Sequence, residues 1–424
     1  MRPILLILFY AGLMLAQQPA AKLVPSDGLN AQLPGWLRFS GEYRARLEAV
    51  GGGNYREGND DAYLLNRIRL NLRIQPTPWM KFTFQGQDAR VFAKTLKPYG
   101  PPFQDRVDLR MAFVELGDSE KGSFALRGGR QELAFGEQRL VGHLNWLNTA
   151  RTFDAVRATF RHNGYRLDAF AASVVNLRDG EFNRRQDGNN FHGLYGGIEK
   201  LVPNAVIEPY AFWRVGPGRL NFKTYGVRFA GKLPGNLDYG TEMAVQEGGF
   251  GSDEIGAWAG HYRLGYTLAK LRYKPRLISE YNYATGDKSP SDRKRGTFDI
   301  LYPTPHDKYG LANQVGWKNI HHLRFGPELK LSSKVTITSN YHSWWLASAT
   351  DGVYSATGNL IARVVSGTAG RHVGQEFDGQ VFYTATRQLG LAAGFAHIFP
   401  GQFLKAATSG ASYNYPYVML GYAF

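Results

Sequence analysis

Residues 66–74 read NRIRLNLRI. Arg67, Arg69 and Arg73 share one parity, and Ile68, Leu70, Leu72 and Ile74 share the other. A helix turns 100° per residue and would scatter the four aliphatics over two opposed sides. A strand gathers them on one face. The stretch therefore reads as a β-strand that is cationic on one side and apolar on the other, and the apolar side must meet either a protein core or lipid.

The same alternation recurs on both sides of it. In WLRFSGEYRARLE (36–48), Leu37, Phe39, Tyr43 and Leu47 alternate with Arg38, Glu42, Arg44, Arg46 and Glu48. A tight QPTP (75–78) leads into WMKFTFQGQ, where Met80, Phe82 and Phe84 oppose Lys81, Thr83, Gln85 and Gln87. NLDYGTEMAVQE (236–247) and KVTITSNYHSWW (334–345) repeat the pattern further along. About 18 such segments can be counted, with ends uncertain by about 2–4 residues. Each runs for about ten residues or more, the length of a tilted strand crossing an outer membrane. A soluble β-sandwich would use strands about half as long.

Connections alternate as well. Short ones lie at 75–78, 117–122, 162–164, 202–204, 233–236 and 331–334; long ones are expected at 49–61, 89–105, 132–150, 176–190, 285–318 and 348–371. Short turns at one end and long loops at the other describe a transmembrane up-and-down barrel, periplasm below and exterior above. Loops of this length are uncommon unless functional or disordered, so 88–105 or 286–317 is expected to fold over or into the lumen.

The ends of the chain agree. Met1-Arg2, a charge-free run from Ile4 to Ala16 and small residues to Ala21 have the layout of a secretory signal peptide, too short to span a bilayer as an anchor. The reading divides the chain into a signal peptide (1–21), a short lead (22–35) and one barrel (36–424). The terminal YPYVMLGYAF places Val418, Leu420, Tyr422 and Phe424 on one parity, a last-strand pattern suited to the outer-membrane assembly machinery. Cysteine is absent, which excludes disulfide scaffolds, thiolate metal sites and cysteine nucleophiles. The net charge of +15 calls for an anionic partner, and export argues against nucleic acid.

An arginine facing hydrocarbon at the midplane costs about 2–4 kcal/mol, so Arg67, Arg69 and Arg73 are expected inside with Ile68, Leu70, Leu72, Ile74, Phe82 and Phe84 toward lipid. Arg44 and Arg46 take the same inward role on the preceding strand. A wet lumen so lined attracts anions. The competing reading is that luminal arginines pair with Glu42, Asp154, Glu242, Glu280 and Glu376 to fill and rigidify the barrel.

Residues 128–157, GGRQELAFGEQRLVGHLNWLNTARTFDAVR, resemble the alginate-export family of outer-membrane proteins in their Gly-Arg-Gln, Gly-x-x-Arg-Leu, Trp and Arg-Thr-Phe-Asp spacing. Residues 284–320, with Gly-Asp, Gly-Thr-Phe-Asp and His-x-x-x-Gly, resemble a long loop of the same family. The resemblance spans essentially the whole mature chain. It implies an 18-stranded monomeric barrel with an electropositive pore for a polyuronate. By position it implies that Arg130, Arg139, Arg151 and Asp154 belong to the pore or to a loop folded beside it; Arg157, Arg276 and Glu376 complete the expected luminal set. Guanidinium suits this substrate class because its planar, permanently charged fork matches a carboxylate.

Other constellations are weaker. Arg127 and Arg130 have opposite parity, so Gly128-Gly129 is expected to form a bulge or end the strand. His321-His322 would face opposite sides and make a poor metal pair. Asp287, Asp292, Asp299 and Asp307 match no EF-hand spacing. Asn340 and His342 share a face, but Ser343 points away, which leaves no nucleophile beside a base. No cofactor and no catalysis are expected. The remaining functions are a channel for an anionic polysaccharide or related anionic solutes, a general outer-membrane porin, and a non-conducting barrel that binds a partner or polymer through its loops.

Overall fold

The computed structural model describes residues 25–424, so the expected signal peptide lies outside the described residues. Within the expected lead, Pro25–Gln32 forms a short helix. Its Asn30 side chain ties it to the first strand, donating to the Phe39 carbonyl (2.8 Å) and accepting the Phe39 amide (2.8 Å).

A single sheet of 19 strands contains the barrel. One member, Lys294–Arg295, is a two-residue loop segment that pairs in parallel with Glu254 and Ile255. The other 18 form the antiparallel wall, from Leu37–Val50 to Tyr413–Ala423. The first and last strands close it in register from Glu42↔Ala423 to Glu48↔Tyr417. Closure leaves no unpaired edge, the condition for a sheet to sit in lipid. Among the described residues, no helix is long and apolar enough to cross a membrane; the crossing is made by strands.

Side-chain alternation sets the two faces. Arg44, Arg46, Arg67 and Arg69 are buried inside, while Leu47, Ile68 and Leu70 are exposed outside. Leu72, Ile74, Phe82 and Phe84 are half-exposed on the same outward parity. Met243, Val245, Tyr341 and Val418 continue the apolar outer belt. So extended an exposed apolar surface is explained by lipid.

Two expectations about connections are corrected. Residues 184–190 belong to the strand Arg184–Ile198 rather than to a loop. The segment RRQDGNN is polar on both parities because it rises beyond the bilayer, where neither face needs to be apolar, so alternation cannot reveal it. Gly128-Gly129 neither forms a bulge nor ends the strand: Phe124–Gln131 keeps unbroken register with both neighbours. Gly129 makes this possible at φ +123, where a Cβ would stand 2.3 Å from the Ala112 carbonyl oxygen.

The barrel interior is packed by its own long loops. Leu133, Phe135, Leu140 and Val141 from the 132–152 loop are buried with Phe298, Tyr302, Tyr309, Leu311 and Trp317 from the 285–319 loop. Phe135 stacks on Tyr195 of the wall at 4.7 Å between ring centroids. Helix Gln402–Ala407 adds Phe403 and Leu404, both fully buried, near the exterior rim.

Candidate functional site

The 132–152 loop crosses the lumen against an arc of arginines from the first two strands. Arg44 donates to the Asn145 and Leu147 carbonyls (2.9 and 3.2 Å) and to Asn148 Oδ1 (3.3 Å). Arg67 reaches the Asn145 carbonyl (3.2 Å), and Arg69 reaches Asn145 Oδ1 (2.8 Å). Arg46 donates to the Trp146 carbonyl (2.7 Å) and lies 3.9 Å over the Trp146 ring. Two carboxylates sit among these four guanidiniums: Glu48 on Arg46 (2.5 Å), and Glu42 shared by Arg67 (2.7 Å) and Arg69 (3.1 Å). Most of the loop's contacts to the arc are therefore made through neutral oxygens, and the arc retains a cationic surplus.

The 285–319 loop then zips onto the first loop. Tyr302 N donates to the Leu140 carbonyl, Gly142 N to the Tyr302 carbonyl and Thr304 N to the Gln138 carbonyl, each at 2.8 Å. Arg151 donates to Gly142 O and Pro303 O (3.3 and 3.1 Å), and the Trp146 ring stacks on His306 at 3.5 Å. Wall groups hold this second loop in turn. Glu376 accepts the Leu311 amide (2.5 Å), Trp344 donates to the Tyr309 carbonyl (2.9 Å), and Arg214 donates to Asp299 (3.0 Å).

A buried hub joins both loops to the wall. Arg139, fully buried, meets Glu137 (3.3 Å), Glu280 (2.9 Å) and the Tyr309 hydroxyl (3.2 Å). Glu137 also faces Arg228 (3.2 Å) and Arg263 (3.4 Å). Burial alone would raise the Glu137 carboxyl, but Arg263, Arg139, His261 and Arg228 hold it well below the usual carboxylate range. Nearby, burial with the Arg139 charge pulls the Lys308 ammonium down to about 8 against the opposing pull of Asp307. Burial likewise brings Arg151 down to about 10.

The short-turn half of the lumen is wetter. Arg73 lies there, exposed on the inward parity and bonded to Gln75. Arg157 pairs with Asp168 (2.8 Å) beside Arg166 (3.1 Å), and Arg276 pairs with Asp238 (2.6 Å). Arg127 pairs with Glu115, which Lys81 also reaches at 2.7 Å. These cations are only partly buried.

The structure brings together Arg44, Arg46, Arg67 and Arg69, and separately joins Arg139 to Glu280. It corrects one expected pair. Arg130 and Asp154 bond to each other (2.8 Å), but they share the outward parity of the exposed Val156 and Phe160. Arg127, not Arg130, faces the lumen from that strand. Strand parity decides this, since three residues of offset reverse the face.

Sequence reasoning missed Glu137, Arg228, Arg263, Lys308 and Tyr309. Arg228 and Arg263 lie on inward parities that alternation could have flagged. Glu137, Lys308 and Tyr309 sit in loops, where no period marks the buried side.

Comparison with known proteins places this geometry in context. A protein-family profile for alginate export matches residues 35–418. A comparison with curated proteins finds no match. Among solved structures, Acinetobacter baumannii OccAB2 is similar at TM-score 0.62 and 11% identity, covering 91% of this chain and 98% of that one. Pseudomonas aeruginosa OccK8 (OprE) is similar at TM-score 0.60 and 13% identity, covering 92% and 98%. Pseudomonas aeruginosa OpdO is similar at TM-score 0.59 and 14% identity, covering 93% and 99%. At such identities the likeness is one of fold.

Proposed function

The chain belongs to the alginate-export family, and from that premise we propose that it conducts small anionic solutes, carboxylate-bearing sugars among them, through a lumen narrowed by two anchored loops. It is an integral outer-membrane β-barrel channel and not an enzyme. The observation that supports the substrate class is the arc of Arg44, Arg46, Arg67 and Arg69 paired with Glu42 and Glu48. Where guanidiniums are satisfied by carbonyl oxygens, their charge is not cancelled, and in a confined site of reduced dielectric that surplus attracts anions. Half-exposed Arg127, Arg157, Arg166 and Arg276, each beside a carboxylate, offer several modest contacts in series, as transit requires.

A second reading, passage of a polyuronate chain, is favoured by the family match over residues 35–418. It would require the 132–152 and 285–319 loops to leave the lumen, breaking the contacts around Arg139.

The two readings differ in planar bilayers. The purified protein should carry anions in preference to cations, and a monomeric uronate should shift the reversal potential as a permeant ion. The preference should weaken in 1 M salt, where screening shortens to about 3 Å. Interruption of small-ion current by long polyuronate, with no current carried by the monomer, would favour the second reading. A cation-selective channel would refute both.

A further inference from the structure

Separated from the arginine arc by two strands along the wall, two neighbouring strands place three metal-ligating side chains on the inward face. Glu376 and Asp378 lie two residues apart on His372–Thr384, so they share a face. His342, on Val335–Leu346, is the direct cross-strand partner of Glu376. Ligand atoms of the three residues lie within 4.8 Å of one another. His342 and Glu376 are fully inaccessible, and Asp378 is 1% exposed.

The hydrogen bonding of this cluster is incomplete. His342 Nδ1 is taken by His322 Nε2 (2.9 Å), whose other ring nitrogen meets Asn282 (2.9 Å). Asp378 Oδ1 accepts from Asn340 (2.9 Å), and Glu376 Oε1 accepts the Leu311 and Ala312 amides. One atom on each residue is left buried with no hydrogen-bond partner: His342 Nε2, Glu376 Oε2 and Asp378 Oδ2. His342 Nε2 stands 2.9 Å from Asp378 Oδ2. Ligands in adjacent positions around an ion, with bonds of about 2.1 Å, stand about 3.0–3.4 Å apart.

We propose that His342, Glu376 and Asp378 bind a divalent transition-metal ion of the zinc class. One imidazole nitrogen and two carboxylate oxygens suit such an ion; calcium and magnesium prefer oxygen alone. A neutral imidazole with two carboxylates carries two negative charges, which a dication cancels. The partners of the ligands also fit: His322 holds His342 by its other nitrogen, Asn340 holds Asp378, and loop amides hold Glu376. Gly310 comes close to the site at φ +127, where a Cβ would stand 2.8 Å from Glu376 Oε2. Because Glu376 also grips Leu311 and Ala312, the ion would fasten the 285–319 loop to the wall.

The test uses the protein extracted from membranes in detergent, unfolded in urea with a chelator, and refolded with Zn²⁺ or Co²⁺ before free metal is removed. Wild type should retain one equivalent of Zn²⁺, and the Co²⁺ form should show visible ligand-field absorption. A large excess of Ca²⁺ should leave that absorption unchanged. Glu376→Gln and Asp378→Asn keep side-chain shape and should weaken retention by at least the roughly 10–100-fold that loss of an outer partner costs. His162→Gln, on a short turn away from the site, should not change it. Retention by both carboxylate variants equal to wild type overturns the proposal, as does displacement of Co²⁺ by Ca²⁺. Should those variants fail to refold, the wild-type Co²⁺ spectrum decides: its absence overturns the site.

Discussion

Replacing Arg139 by Met tests whether the inner loops are held by charge. The side chain is fully buried between Glu137 (3.3 Å) and Glu280 (2.9 Å) and donates to Tyr309 (3.2 Å). Removing one partner of a buried ion pair costs about 3–5 kcal/mol, chiefly because the other charge is left behind. Here both carboxylates keep cationic neighbours: Glu137 retains Arg228 (3.2 Å) and Arg263 (3.4 Å), and Glu280 retains Arg324 (3.8 Å). The lower end, about 3 kcal/mol, is therefore expected, and Met fills most of the vacated volume. At about 1.4 kcal/mol per tenfold, local opening of the loop should become roughly a hundredfold more frequent. Amide hydrogen exchange on the detergent-solubilised barrel reads this directly. Peptides from 133–149 should lose about two orders of magnitude of protection, while wall strands such as Leu237–Phe250 keep theirs. Single-channel records should gain brief excursions to higher conductance. Loop protection within threefold of wild type (less than about 1 kcal/mol) would refute the idea that this hub anchors the loops.

Other outcomes follow from the same geometry. Arg157→Ala, which removes a half-buried luminal cation, should lower anion preference in reversal-potential measurements, whereas Arg130→Ala on the outer face should leave it unchanged; equal effects would reverse the assignment of faces. Arg44→Met should loosen the Asn145–Asn148 stretch, whose carbonyls it holds, by about 1.5–3 kcal/mol per charged hydrogen bond lost, read as faster exchange there. Lys308 gives a pH dependence. Its native pKa, near 8, lies below the unfolded value of about 10.4, so between those values the opened loop holds a proton that the closed loop has shed. Closure of the 285–319 loop should therefore strengthen as pH rises from about 8 to about 10 and be weakest below 8. Lys308→Met should abolish that slope, measured as the pH dependence of loop exchange after correction for intrinsic rates.

The wall was legible because a strand in a membrane obeys a local rule. NRIRLNLRI needs only its own parity to show that Ile68 and Leu70 face one medium and Arg67 and Arg69 another, and the penalty for an arginine in hydrocarbon says which is which. The same rule places Glu376 and Asp378 together and would have put Arg130 and Asp154 outside had it been applied past the glycines. It gives no guidance where both faces are polar, as in 184–190, or where the chain leaves the sheet. What the luminal arginines do was decided by tertiary structure alone. The carbonyls of Asn145 to Leu147, about 100 residues from Arg44 and Arg46, reach them only because a loop without periodicity folds back through the barrel. The meeting of Arg139 with Glu280 is of the same kind, as is that of Glu376 with the amides of Leu311 and Ala312. A strand's environment is written two residues at a time, whereas a loop's partners depend on the closed shape of the cavity it fills, and the barrel supplies that shape only after its first and last strands have met.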